Sequence, residues 1–108
     1  MKTIVTLLTA VAAATFAAGA HAADAKNADA LAKSSGCFAC HTVDKKLIGP
    51  GYKEIADKYR KDKNAEAGLI KKVKEGGKGV WGDIPMAPNA QVKDEDIKTM
   101  VQWILSIK

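Results

Sequence analysis

Cys37 and Cys40, three positions apart, with His41 directly behind the second, are the residues whose types and spacing point to chemistry; they lie in SSGCFACHTVDKKLIGPG, residues 34–51. A Cys-x-x-Cys pair can be a disulfide, half of a zinc site or a redox dithiol. One disulfide closing a four-residue ring would constrain the unfolded chain very little. A structural zinc site wants four Cys or His ligands, and the chain holds 2 Cys and 2 His, one of them His21 in the N-terminal segment read below as a leader. A thioredoxin-like dithiol belongs to a βαβ pattern, which is not found here. Cys-x-x-Cys-His is the signature of c-type haem attachment. On a helical turn, positions i, i+3 and i+4 share a face. Cys37 and Cys40 can then add to the two haem vinyl groups while His41 lies beneath the iron as its proximal ligand, through Nε2.

The elements that must position this motif follow a leader. MKTIVTLLTAVAAATFAAGAHA has one cation at Lys2, an uncharged apolar run from Ile4 to about Ala18 and the triplet Ala20-His21-Ala22. Those are the parts of a secretory signal peptide, with cleavage expected after Ala22. A retained membrane anchor is the alternative for an uncharged span of this length. The alanine-rich run, the break at Gly19 and the A-x-A site favour the signal peptide, and no second such stretch follows. Cleavage would leave residues 23–108 as one domain and lower the formal charge from +5 to +4. A domain that small buries a modest share of its surface, so a large apolar cofactor serving as core is expected.

NADALAKSSG places Ala28, Leu31, Ala32 and Ser35 on one helical face and stops at Gly36. YKEIADKYRKD and AEAGLIKKVKEGG read as two further helices, the second turning Leu69, Ile70 and Val73 toward a core. In DEDIKTMVQWILSIK, residues Ile97, Met100, Val101, Ile104 and Leu105 fall at i, i+3, i+4, i+7 and i+8, behind three acids. Trp103 reads as core joining this last helix to the first, and Asp94 as its cap. GGKGVWGDIPMAPNAQV, between the third and fourth helices, reads as one long loop, and loops of that length usually serve a function. The expected fold is all-α, four helices wrapped around a haem.

The sixth position on the iron needs a second ligand, and the thioether candidates are Met86 and Met100. Met100 lies on the apolar stripe of the last helix, where core packing accounts for it. Met86 lies in IPMAP between Pro85 and Pro88, which restrict the loop and lower the entropy cost of holding sulfur on iron. Met86 is the expected ligand.

From GCFACH through IGPGY, GVWGDIPMAPN and QWILSIK, the chain resembles the small class I cytochromes c of the bacterial c-551/c-552 type, over roughly residues 25–108. The resemblance implies a haem-wrapped four-helix fold, one covalently bound haem c, His/Met ligation and service as a periplasmic electron carrier. It assigns Pro50 as the carbonyl that accepts Nδ1–H of His41, and a metal-bound histidine needs such an acceptor to fix its tautomer. It also implies that Trp81 reaches a haem propionate and that Asn89 lies near the methionine sulfur or the propionate edge. The simpler readings are a core aromatic for Trp81 and an ordinary loop residue for Asn89.

One-electron transfer is the function that this ligand set favours, since six-coordinate iron leaves no open site for a substrate. A thioether ligand in an apolar pocket favours ferrous iron and a potential toward the positive end of the haem range. The rival class is a haem enzyme or gas sensor in which Met86 is displaced. The cations do not interleave with aromatics as nucleic-acid binding would require. The balance suits acidic or mixed-charge redox proteins, such as a terminal oxidase, a nitrite reductase or a cytochrome-containing dehydrogenase, met by a monomer. Lys45, Lys46, Lys71, Lys72, Lys74 and Lys78 are the candidate docking cations.

Overall fold

A computed structural model describes Ala12 and residues 20–108, with only the backbone course considered for 20–24. Most of the expected leader therefore lies outside the described residues. The elements run α1 Ala20–Ser34, a 3-10 turn Cys37–Ala39, α2 Tyr52–Tyr59, α3 Ala65–Glu75, β1 Gly77–Gly79, β2 Gly82–Met86 and α4 Asp94–Ser106. The four expected helices are present, each within a few residues of its sequence-predicted span except α1, which begins at Ala20. Gly36 follows α1 in the left-handed region at φ 78°.

The apolar stripe of α4 organises the interior. Ile97, Met100, Val101 and Ile104 are all buried, and Leu105 is partly buried beside them. A fully buried Ile or Val side chain contributes about 1.5–3 kcal/mol, and Ile97, with no exposed surface, is the residue whose truncation would cost most. α4 touches α1, α2 and α3, so one helix closes the core for the other three. With Ala32 of α1 it forms one cluster; Tyr52 and Ile55 of α2 with Ile104 form a second. Trp103 packs against both, its ring 5.7 Å edge-on from that of Tyr52. It therefore joins α4 to α2.

This interior is thin. Four of the ten buried apolar residues among those described are alanines: Ala28, Ala32, Ala56 and Ala65. So sparse a set of apolar side chains is what a chain requires when another apolar body completes its core.

Two sequence-based expectations are corrected. The segment after α3 is not only a loop: β1 and β2 pair antiparallel, with Gly77 opposite Met86 and Gly79 opposite Gly82. The register shifts between the two pairs, so β2 carries the extra residues as a bulge. Gly79 and Gly82 take φ 112° and 115° on either side of the Val80-Trp81 tip, angles that residues with a Cβ rarely adopt. Pro85 is tolerated because a strand in a two-stranded ribbon is always an edge. Neither strand alternates, which is why no strand was legible. The second correction concerns Asp94, which is the first helical residue rather than the cap. Lys93 holds the N-cap position and makes no side-chain cap, while the Asp94 carboxylate lies 2.9 Å from Lys74 Nζ.

Candidate cofactor site

Backbone hydrogen bonds fold the motif onto itself. The N–H groups of Cys40 and His41 both donate to Cys37 O, at 3.2 and 3.0 Å, which makes the tight turn that brings Cys37, Cys40 and His41 to one side. The return segment is tied back by Gly49 N–H donating to Cys40 O at 2.7 Å. Tyr52 and Lys53 then donate to Thr42 O and Val43 O, each at 2.9 Å. These bonds satisfy two of the free N–H groups at the start of α2 and lock that helix to the motif.

His41 is the one buried polar side chain among the described residues, 9% exposed. Its Nδ1 lies 2.7 Å from Pro50 O. A carbonyl only accepts, so Nδ1 carries the proton and Nε2 keeps its lone pair. Pro50 thus takes the place that the resemblance implied for it. Tyr52 stacks on the His41 ring at 5.2 Å between centroids and 27° between planes. Gly49 also lies against the ring, where an added Cβ would stand 2.6 Å from Cε1. The ring is held by a hydrogen bond and by contact with two neighbours, and neither Tyr52 nor Gly49 was singled out in the sequence.

Cys37 and Cys40 are not joined by a disulfide; Cys37 is half-buried and Cys40 exposed. Burial raises the Cys37 thiol above its ordinary value, and the neighbouring Tyr52 hydroxyl works against the rise. Burial likewise pushes the Tyr52 phenol up, and the Cys37 sulfur beside it acts in the same direction. Both groups stay protonated at neutral pH. Among the described residues no three His, Cys, Asp or Glu side chains converge to hold a metal ion by themselves.

Cys37, Cys40, His41 and Pro50 open onto a largely apolar cavity of about 410 Å³, walled elsewhere by Tyr52, Ile55 and Leu69 and by the hairpin from Gly77 to Met86. Its size falls in the range of cofactor clefts, about 300–1,000 Å³. Met86 and Met100 both stand on its wall, but Met100 is rooted in the core at 3% exposure, while Met86 ends the hairpin. Trp81 also lines the cavity and is 40% exposed. Lys58 Nζ lies 5.7 Å from the Trp81 ring centroid and 5.8 Å from that of Tyr59, a cation–π arrangement that joins α2 to the hairpin tip. Asn89 is not part of the wall. Its Nδ2 donates to Val73 O and Ala87 O, each at 3.2 Å, and so anchors the segment that follows Met86.

Lys46, Lys72 and Lys78 also line the cavity. Apolar walls, two cysteines, an imidazole lone pair and three lysines on one cavity fit a flat apolar macrocycle that carries carboxylates. Lys74 differs from its neighbours, because its ammonium is engaged by Val92 O at 2.7 Å and by Asp94.

A family model described as cytochrome c matches residues 19–108. The chain is 46% identical over 89 residues to cytochrome c-551 of Pseudomonas aeruginosa, covering 82% of this chain and 85% of that one. It is 46% identical over 100 residues to cytochrome c-552 of Nitrosomonas europaea, covering 93% of each. The crystal structure of wild-type Nitrosomonas europaea cytochrome c552 superposes with a TM-score of 0.72 at 48% identity, covering 74% of this chain and 99% of that one. A chain with this motif, this cavity and these relatives belongs to the cytochrome c family, alongside its c-551/c-552 members, and is an electron carrier with one covalently attached haem c rather than an enzyme.

Proposed function

We propose that the chain is a soluble periplasmic one-electron carrier whose haem iron is ligated by His41 Nε2 and Met86 sulfur, and that it shuttles electrons between respiratory redox proteins. The observation that carries this reading is the 2.7 Å bond from His41 Nδ1–H to Pro50 O, which leaves Nε2 as the donor nitrogen on a cavity that Met86 also lines. The haem supplies the ferric/ferrous couple. The protein holds it by the two thioether sulfurs, orients His41 through Pro50 and Tyr52, and keeps water from most of the cavity with apolar walls. A thioether ligand opposite histidine raises the potential.

No helix among the described residues is long and apolar enough to cross a membrane. The charge pattern of residues 1–22 supports export and cleavage after Ala22, so protein recovered from the periplasm should begin at Ala23. Exposed Lys45, Lys46 and Lys78 favour an acidic or mixed-charge partner: a terminal oxidase, a nitrite reductase or a cytochrome-containing dehydrogenase.

The visible spectrum of the oxidised protein tests the ligation. A sulfur-to-iron charge-transfer band should be present in the wild type and in Met100→Leu and absent from Met86→Leu. The opposite pattern would overturn the assignment.

A further inference from the structure

The segment that carries Met86 is held by the end of α3. Val73 O accepts two hydrogen bonds from Asn89, from the backbone N–H at 3.0 Å and from Nδ2 at 3.2 Å. Gly77 is the cross-strand partner of Met86. Gly76, at φ 74°, lies under Met86, Ala87 and Pro88 so closely that a Cβ would come within 2.9 Å of Pro88 N. Lys74 reaches furthest, donating to Val92 O at 2.7 Å and meeting Asp94 Oδ1 at 2.9 Å. Residues 73–77 therefore grip this strap at the methionine and on its C-terminal side.

Of these contacts only that of Lys74 is made by a charged side chain, and its two halves differ in weight. Asp94 is 81% exposed, and exposed ion pairs contribute little. The bond to Val92 O is part-buried, and a hydrogen bond from a charged donor is about twice as strong as a neutral one. Without it the strap between Asn89 and α4 keeps only the bond from Val92 N–H to Asn89 O at 3.1 Å and the packing of Val92 against the core, neither of which ties it to α3, and a more loosely tied segment has more open conformations.

We propose that Lys74 is a positioning residue for Met86: its ammonium, bound to Val92 O and Asp94, ties the strap to α3 and so opposes departure of the sulfur from the iron. This rests on the reading of Met86 as the sixth ligand. Lys74 is then part of the ligand's mounting, unlike exposed Lys71 and Lys78 on either side of it.

The test is imidazole titration of the full holoprotein in the ferric state, followed by loss of the sulfur-to-iron band. Lys74→Ala should bind imidazole about tenfold more tightly than the wild type, the effect of losing one charge-assisted hydrogen bond, equivalent to about 1.4 kcal/mol. Lys74→Arg should restore the affinity to within about twofold, and Asp94→Asn should stay close to wild type because the Val92 bond remains. A Lys74→Ala protein with a lower melting temperature and unchanged imidazole affinity would overturn the proposal, since Lys74 would then serve stability alone. Should Lys74→Ala not yield holoprotein, Lys74→Gln, which keeps a neutral donor and part of the stem, must still bind imidazole about threefold more tightly, and wild-type affinity there overturns the proposal equally. Met86→Leu separates the two readings. If it keeps the band, the ligand assignment fails and this inference with it; if it loses the band while the Lys74 variants bind imidazole like wild type, only this inference fails.

Discussion

Gly49 and His41 are in contact with no space for a side chain between them: a Cβ on Gly49 would lie 2.6 Å from Cε1 and 2.9 Å from Nδ1 of the imidazole. The next residue, Pro50, accepts the proton of that same Nδ1. One short segment thus both grips the ring and makes room for it.

Gly49→Ala should therefore displace the ring and stretch the bond to Pro50. Overpacking of this kind costs about 1–3 kcal/mol, readable in guanidinium unfolding followed by haem absorbance. The reduction potential should rise as well, because an imidazole that no longer donates from Nδ1 is a weaker base toward the iron. Wild-type stability and potential together would contradict the contact.

Cys37→Ala and Cys40→Ala should each weaken or abolish covalent haem retention, seen as loss of haem staining after denaturing electrophoresis. The chain should also be largely unfolded without haem, because its buried apolar set is small and rich in alanine. A cooperatively folded haem-free protein by circular dichroism would refute this.

Met86→His should keep the iron six-coordinate and lower the potential, since imidazole favours ferric iron relative to a thioether. Met100→Leu conserves volume, so it should cost less than about 1.5 kcal/mol and leave the potential near wild type. Voltammetry of the two variants side by side decides the matter.

Electron transfer to an acidic partner should slow as ionic strength rises, because exposed charges are screened beyond about 10 Å at 0.1 M salt. Charge reversal at Lys45, Lys46 or Lys78 should lower the second-order rate without moving the potential much, as steering acts on encounter. Stopped-flow rates that ignore both salt and these substitutions would mean apolar docking, with Ile84, 67% exposed on the hairpin, as the nearest candidate surface.

How far these features were legible depends on the range of the interaction. The α4 stripe and the Cys37, Cys40, His41 turn are local, so spacing alone exposes them. Pro50 is nine residues from His41, and only the resemblance placed it. Gly49 carries no signal, because its smallness matters only where the imidazole comes to rest. The hairpin was hidden by glycines whose role is backbone angle rather than side-chain pattern. Lys74 shows the same limit from another direction: sequence displays its charge beside that of Lys72, but not that the side chain reaches back to Val92. The amide of Asn89 is engaged with the backbone of Val73 and Ala87, contacts that the sequence does not display.

The reach of α4 to the other three helices also has a meaning in time. A nascent chain that extends only to Lys93 has made the thiols, His41, the Pro50 carbonyl and Met86, yet lacks the α4 side chains against which Ala32 and Tyr52 pack. Domains fold as units, and here the contacts that close the core wait for the final helix. The attachment turn is thus complete in covalent terms while the body around it is still open. Closure by α4 can then follow attachment of the haem rather than obstruct it.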